Sequence, residues 1–121
     1  EVVSDKGEFL GGVIAPGLEI SAEALFSRAA KLPRIELVPP ARVIGKATVD
    51  SMQAGLVYGY VGLVEGVTRR VLAELGGGKV IATGGLATVI AHHTSLFDSV
   101  DDDLTLKGLR ILWERNRPGR E

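Results

Sequence analysis

A pair of glycines after a short apolar strand is the feature of this sequence best suited to contacting a ligand. In the segment 79–87, a β-branched run stops at Thr83, Gly84 and Gly85 follow, and an apolar helix-forming stretch begins at Leu86. Glycines lack a Cβ, so they adopt strained dihedral angles and let a ligand lie against bare backbone. The free N–H groups at the start of the next helix suit a polar or anionic guest. The segment is therefore either a ligand-binding turn or a plain connection between strand and helix.

A second glycine pair, Gly11-Gly12, lies in the segment 11–18, which reads GGVIAPGL. Paired glycines in a strand let another backbone or a ligand approach closely, but they are equally typical of a bulge. A third block, VIGKAT at 43–48, ends at Thr48, which could serve as an ordinary helix N-cap. A fourth, LTLKGL, occupies 104–109. These blocks are candidate binding segments whose structural interpretations remain open.

Turn residues and apolar spacing place the elements before the long helix. Val2-Val3 and the run 8–14 flank a turn containing Gly7, which predicts a β-hairpin. Ser21 can cap a helix that Pro33 ends. The apolar face of that helix would comprise Leu25, Phe26, Ala29 and Ala30. The segment 34–38 is either a short strand or an extended connection.

The longest predicted element is a helix over 48–75. An apolar ridge shares one of its faces and comprises Met52, Leu56, Tyr60, Leu63 and Val67. A stripe of glycines runs beside the ridge and comprises Gly55, Gly59, Gly62 and Gly66. Each glycine inside a helix costs roughly 1 kcal/mol relative to alanine, so close backbone packing should compensate. That packing is either within the same chain or across a subunit interface.

The rest of the sequence predicts a strand at 80–82, a helix at 86–92, a strand at 97–100 and a last helix. That last helix would turn Leu109, Leu112 and Trp113 inward, and a frayed tail with Pro118-Gly119 would follow. The order of elements predicts an α/β layer fold. His92 and His93 are adjacent and point apart on a helix, and the acidic run 101–103 lacks the spacing of a calcium loop, so we predict no metal site.

Composition restricts the class of protein. The sequence has 121 residues, 45% hydrophobic and 24% charged, with a net charge of −1 and no cysteine. These values are typical of one globular domain and give no reason to expect nucleic acid or a membrane as partner. The lack of cysteine fits a reducing cytoplasm. Because the sequence begins within a predicted hairpin and without methionine, we interpret it as a fragment.

Taken in order, the blocks at 11–18, 43–48, 79–87 and 104–109 closely resemble the carboxyl-terminal half of type III pantothenate kinases. These are bacterial members of the acetate kinase, hexokinase and actin superfamily. The resemblance covers about 2–116 and implies half of an actin-like ATPase fold (ribonuclease H-like), with a mixed sheet and flanking helices. It also implies that 1–121 is a single carboxyl-terminal domain whose amino-terminal half is missing.

The resemblance implies roles for individual residues. Thr83, Gly84 and Gly85 would form the adenosine side of the ATP pocket. Gly11, Gly12, Ile14 and Thr48 would shape the pantothenate pocket, with Ile14 and Thr48 contacting substrate from the neighbouring subunit. Where the family commonly has Gly-Lys-Asn-Thr, this sequence has Ala47 in place of Asn. The missing amide changes the local hydrogen bonding.

The activity implied is the ATP-dependent phosphorylation of pantothenate to 4'-phosphopantothenate, the first step of coenzyme A biosynthesis. The enzyme would be a cytoplasmic homodimer joined through the 48–75 helix, using Mg²⁺ and a monovalent cation (K⁺ or NH₄⁺). Phosphoryl transfer needs a positioned carboxylate and a phosphate cradle. The family's Asp-x-Gly-Asn-Thr, Gly-x-Asp-Arg and Asp-x-Gly-Thr-Ala motifs are absent from this sequence. We therefore assign no catalytic residue and expect the isolated chain to be inactive. The alternative is a non-catalytic nucleotide-binding or regulatory dimerisation module.

Overall fold

The computed structural model describes residues 1–29 and 31–117. The expectations for Ala30 and Pro118-Gly119 lie outside these residues. The chain divides into two compact units, Glu1–Arg70 and Val71–Glu121. In chain order the elements are β1 (Val2–Val3), β2 (Phe9–Gly11), α1 (Leu18–Arg28), α2 (Thr48–Leu75), β3 (Ile81–Ala82), α3 (Ala87–Ala91), β4 (Ser99–Val100) and α4 (Leu104–Arg115). The α/β class is confirmed, while the single-domain assignment and the ribonuclease H-like topology stay predictions.

The predicted hairpin is present at the start of the first unit. β1 and β2 pair antiparallel, with Val2 opposite Gly11 and Val3 opposite Phe9, and the register shifts between these pairs. The Ser4 hydroxyl closes the turn by accepting the backbone N–H groups of Lys6 and Glu8, at 3.2 and 3.1 Å. The second strand ends at Gly11 rather than continuing to position 14.

Helix α1 begins three residues before the expected cap. Gly17 is the N-cap, and its carbonyl accepts the Ser21 N–H at 2.9 Å, so Ser21 lies inside the helix. The prediction of Ser21 as the cap is therefore wrong. Leu18 and Ala22 are only 2% exposed and lie one turn apart on the buried face. Burying both apolar side chains favours the earlier start over the local capping preference of serine.

Helix α2 has the bounds that the sequence predicts. Its buried residues are Met52, Ala54, Val57 and Val61. Ala54, Val57 and Val61 follow the helical repeat and form the core-facing side, whereas Met52 is the only fully buried member of the predicted ridge. Leu63 in that ridge is 38% exposed. The side of α2 that faces the unit's core is thus roughly opposite the glycine stripe.

The segment 34–40 is an extended connection and not a strand. The Arg34 guanidinium forms a two-pronged ion pair with Glu23 of α1, at 2.7 and 2.8 Å. Two α2 side chains hold the rest, because Gln53 donates to the Glu36 carbonyl at 3.1 Å and the Tyr58 hydroxyl donates to the Pro40 carbonyl at 2.9 Å. Side chains of α2 here take over hydrogen bonds that a neighbouring strand would otherwise make.

The second unit contains a parallel pair of strands, with Ile81 opposite Ser99 and Ala82 opposite Val100. Asp98 extends this pairing by one residue through two hydrogen bonds to the backbone of Val80. Its backbone N–H donates to the Val80 carbonyl at 2.9 Å, and its carboxylate accepts the Val80 N–H at 2.6 Å. Within the described residues the strands therefore form two separate two-stranded sheets rather than one mixed sheet.

Helix α4 differs from its predicted orientation. Leu109, Leu112 and Trp113 are 57–58% exposed, and no residue of α4 is buried. The prediction that they point inward is wrong for this chain. The sequence of α4 is amphipathic, with Lys107, Arg110 and Glu114 on its polar side, but its apolar side stays largely exposed in this chain. None of the described helices is long and apolar enough to cross a membrane.

Candidate functional site

The turn between β3 and α3 has the open backbone that the sequence predicts. Gly84 adopts φ +99°, a left-handed conformation that strains any residue with a Cβ. Gly85 has an ordinary φ, and a Cβ built on it would meet nothing within 4 Å. Thr83, Gly84 and Gly85 are all exposed. The turn therefore presents bare backbone with free space above it, as a surface against which a planar or bulky group could lie.

The helix after this turn is not an anion site. α3 contains only five residues, too few to develop a useful dipole. Its first amide, that of Ala87, already donates to the Gly84 carbonyl at 3.0 Å. The expectation of a polar or anionic guest at the N-terminus of this helix is therefore not supported by the geometry. The turn can therefore contact a ligand through its open backbone surface, but not through a charge or a helix dipole.

The Asp101 carboxylate, directly after β4, is engaged by groups of its own chain. The Lys107 ammonium donates to both carboxylate oxygens of Asp101, at 2.8 and 2.7 Å. This hydrogen bond lowers the pKa of the Asp101 carboxyl below its usual value. Asp101 also accepts the Asp103 N–H at 3.1 Å. Among the described residues, no three His, Cys, Asp or Glu side chains lie close enough together to hold a metal ion.

A cavity of about 660 Å³ lies within the first unit, at the start of α2. We call it the α2 cavity. Its polar lining includes Lys46, Thr48 and Ser51, and its apolar lining includes Leu25, Met52 and Leu56. The α2 cavity is wide open to solvent, and its wall combines apolar side chains with a few polar groups. Thr48 thus lies where a ligand could reach it.

Thr48 does not act as the helix cap. It is the first residue inside α2, and the Ala47 carbonyl accepts the Ser51 N–H at 3.0 Å. The Ser51 hydroxyl also donates to the Ala47 carbonyl, at 2.9 Å, and lies 3.4 Å from that of Gly45. The capping interpretation of Thr48 is therefore wrong, and the hydrogen bonds that shape the loop come from Ser51.

Gly45 packs directly against the first turn of α2. A Cβ added to Gly45 would overlap the backbone nitrogen of Ser51 and would lie 2.6 Å from its hydroxyl and 2.8 Å from the Asp50 carbonyl carbon. Sequence reasoning identified the block 43–48 but missed Ser51. The only signal for this contact was a glycine six residues before a serine, a spacing that matches no standard capping motif.

The glycine pair near the start lies apart from the α2 cavity. Gly11 ends β2 with φ +130°, and a Cβ on Gly12 would come within 3.2 Å of the Glu1 Cα. Ile14 is 100% exposed. The described lining of the α2 cavity includes Thr48 but none of Gly11, Gly12 or Ile14. Within this chain the structure does not bring those three residues and Thr48 into one pocket.

The glycine stripe of α2 has no close neighbour. Cβ atoms built on Gly55, Gly59 and Gly62 meet nothing within 4 Å, and one on Gly66 meets only the Arg70 side chain of the same helix, at 3.4 Å. The compensation by close packing that the sequence predicts is therefore not found within the described residues. This side of α2 is an open, narrow surface.

Comparisons with known proteins identify relatives over nearly the whole chain. The profile of a family described as type III pantothenate kinase matches residues 1–70. A type III pantothenate kinase from Moorella thermoacetica is 58% identical over 117 residues, covering 96% of this chain and 46% of the relative. The corresponding protein of Koribacter versatilis is 56% identical over 118 residues, covering 97% and 43%.

A third relative, the type III pantothenate kinase of Syntrophobacter fumaroxidans, is 58% identical over 119 residues, covering 97% of this chain and 46% of the relative. The agreement is thus spread across distinct bacterial sources and extends through both units. The chain spans less than half the length of the curated relatives it matches.

Proposed function

Because this chain belongs to the type III pantothenate kinase family, we propose that it takes part in the ATP-dependent phosphorylation of pantothenate to 4'-phosphopantothenate. This reaction opens coenzyme A biosynthesis, and the cysteine-free sequence fits the cytoplasmic setting proposed for it. The observation that carries the proposal is the identity of more than half of all aligned residues to kinases of this name, over almost the entire chain.

In this proposal the Gly84-Gly85 turn forms the adenosine wall, with Thr83 at its edge. The support is the open space above Gly85 and the left-handed φ at Gly84, which keep side chains away from the surface. The α2 cavity contributes Thr48 to the pantothenate pocket. Gly11, Gly12 and Ile14 shape the same pocket in this proposal, and Ile14 and Thr48 contact the substrate from the neighbouring subunit, as the family resemblance implies.

The proposed assembly is a homodimer that packs α2 near its own copy. Its support is the glycine stripe, which is open in this chain, and the fully exposed side chain of Ile14. Glycines let two helix backbones approach closely, and a two-fold interface uses the same surface on both copies. In this proposal dimerisation covers the glycine stripe and Ile14, and it also completes the substrate pocket.

Mg²⁺ and the monovalent cation stay expectations that rest on the family resemblance. Among the described residues no three His, Cys, Asp or Glu side chains lie close enough together to hold a metal ion, and the Asp101 carboxylate is engaged with Lys107 and the Asp103 N–H. We derive no catalytic step through Mg²⁺ or a monovalent cation here. In this proposal the chain supplies the adenosine wall, part of the pantothenate pocket and the dimer interface, and it supplies no residue that contacts the transferred phosphoryl group.

The isolated 121-residue chain is expected not to phosphorylate pantothenate, because its sequence contains none of the family's catalytic motifs. A coupled ADP-release assay checks this, with a full-length chain that carries these residues as the positive control. Turnover by the isolated chain near the roughly 1–100 s⁻¹ typical of kinases would contradict the expectation. A full-length chain that binds ATP without phosphorylating pantothenate would instead favour a regulatory nucleotide-binding module.

Gly85→Val is expected to weaken ATP binding to the full-length kinase by about 1–2 kcal/mol, as overpacking does in other sites. The chain itself leaves room for the new side chain, so the loss would report on a ligand and not on the fold. Calorimetry measures the affinity, and Thr88→Val at a nearby exposed position of α3 is the control. Unchanged ATP affinity in folded Gly85→Val protein would remove this turn from the nucleotide pocket.

A further inference from the structure

The loop at the start of α2 is held by one side chain from the helix it precedes. The Ser51 hydroxyl donates to the Ala47 carbonyl at 2.9 Å and lies 3.4 Å from the Gly45 carbonyl. Both carbonyls belong to the loop before α2, whereas Ser51 lies in the first turn of the helix. Because the Ala47 carbonyl also accepts the Ser51 backbone N–H at 3.0 Å, the hydroxyl reinforces that anchor and adds the side-chain contact to the Gly45 carbonyl.

Gly45 allows the loop to lie in direct contact with Ser51 of α2. A Cβ at this position would overlap the Ser51 backbone nitrogen and crowd the Ser51 hydroxyl at 2.6 Å. The loop can thus lie against the helix only because residue 45 has no side chain. The close approach of the Gly45 backbone and the two hydroxyl interactions thus hold the loop against the same turn of α2.

The residues held in this way are those that present polar groups to the α2 cavity. Lys46 lies between the two tethered carbonyls along the chain, and Thr48 follows Ala47 directly. Both line the cavity, as does Ser51 itself. If the loop could move by about 1 Å, the side chains of Lys46 and Thr48 would no longer occupy fixed positions in the cavity. Displacements of about 1 Å are enough to weaken productive binding.

We propose that Ser51 is a positioning residue for the pantothenate pocket, which holds the 45–47 loop so that Lys46 and Thr48 face the α2 cavity. The inference rests on the proposed function for the identity of the substrate, but the tether itself does not. Ser51 acts through the loop and not through the phosphoryl group or ATP. Its loss should therefore change pantothenate binding selectively.

The first test measures the tether without any assay of activity. Trypsin cleaves after Lys46, and cleavage needs a loop that can leave its folded position. Ser51→Ala is expected to raise the rate of cleavage after Lys46 several-fold, while cleavage after Lys79 in the other unit stays unchanged. An unaltered rate at Lys46 would overturn the positioning role, because the loop would then be held without the hydroxyl.

The second test measures the consequence in the full-length kinase. Ser51→Ala is expected to raise the KM for pantothenate about tenfold, the scale of one lost hydrogen bond, with kcat and the KM for ATP within about twofold. Ser51→Thr, which keeps the hydroxyl, should restore most of the loss. Equal losses in kcat and both KM values, or no rescue by threonine, would mean a structural role only and overturn the proposal.

Ser27→Ala is the matched control. The Ser27 hydroxyl also donates to a carbonyl one turn earlier, that of Glu23 at 2.8 Å, but it lies on α1 and does not line the cavity. It should change neither the trypsin pattern at Lys46 nor the KM for pantothenate. If the unsubstituted full-length chain does not phosphorylate pantothenate, the proposed function fails, and the trypsin result still decides whether Ser51 holds the loop.

Discussion

Gly45→Ala is expected to lower the free energy of unfolding by about 1–3 kcal/mol, the range in which overpacked positions fall. The physical cause is direct overlap, because the new methyl group would meet the Ser51 backbone nitrogen and the Asp50 carbonyl carbon. Backbone atoms in the first turn of a helix cannot rotate away as a flexible side chain can. Either the loop 43–47 moves off α2 or the first turn of α2 unwinds.

Urea unfolding followed by the helical circular dichroism signal measures this loss. Gly85→Ala is the control, since Gly85 also lies in the segment before a helix, is not its N-cap, and has an ordinary φ and open space where a Cβ would be. It should stay within about 0.5 kcal/mol of the unsubstituted chain. Equal stability of the two variants would mean that the loop accommodates a Cβ by a small shift, so the close approach of Gly45 would have no energetic importance.

Gly59→Leu is expected to weaken dimerisation of the full-length kinase by roughly ten- to a hundredfold, together with its affinity for pantothenate. A leucine in the middle of the glycine stripe would hold two packed helices apart. Because nothing in the chain itself lies within 4 Å of this position, the fold of one copy should tolerate the larger side chain. The joint loss is expected because, in the proposed dimer, both copies contribute residues to the pantothenate pocket.

Sedimentation equilibrium measures the dimer, and Gly59→Ala separates helix propensity from packing. Alanine adds one methyl group in open space and stabilises the helix by about 1 kcal/mol, so this variant should fold well and lose little dimer affinity. A folded Gly59→Leu protein that stays fully dimeric would show that the stripe is not the interface. The glycines would then need a different explanation from close helix packing.

Sequence reasoning was most successful where the pattern was long and its ends were marked by backbone chemistry. The bounds of α2 were obtained correctly because a repeated apolar spacing over 28 residues ends at three consecutive glycines, and Gly76 and Gly77 take φ +76° and +120°. Left-handed dihedrals of this kind stop a helix sharply. The Gly84-Gly85 turn was identified on the same grounds.

Errors arose where burial outweighed a local preference. Ser21 is a better cap than Gly17 by intrinsic preference, but Leu18 and Ala22 had to be buried together, and the helix began earlier. For α4 the reverse held, since an apolar sequence was taken to be inward-facing although Leu109 and Trp113 are more than half exposed. In neither case does spacing along the chain specify what stands opposite the helix.

The Ser51 tether could not be found from the sequence for a related reason. It depends on two loop carbonyls and one glycine meeting the side chain of a helix, a geometry that has no periodicity to detect. Only the block containing Gly45 and Thr48 was visible, through its resemblance to a known motif. The residue that holds that block in place became apparent from distances alone.

The exposed position of Trp113 also determines what spectroscopy can see in this molecule. The chain has one tryptophan and two tyrosines; the tryptophan lies on α4 in the second unit, whereas Tyr58 and Tyr60 lie on α2 in the first. The Trp113 ring is 58% exposed, with the Arg117 guanidinium 4.0 Å from its centroid. Its fluorescence, excited at wavelengths longer than those that tyrosine absorbs, therefore reports on α4 alone. The second unit thus carries an intrinsic optical label that the first unit lacks, without any engineered dye.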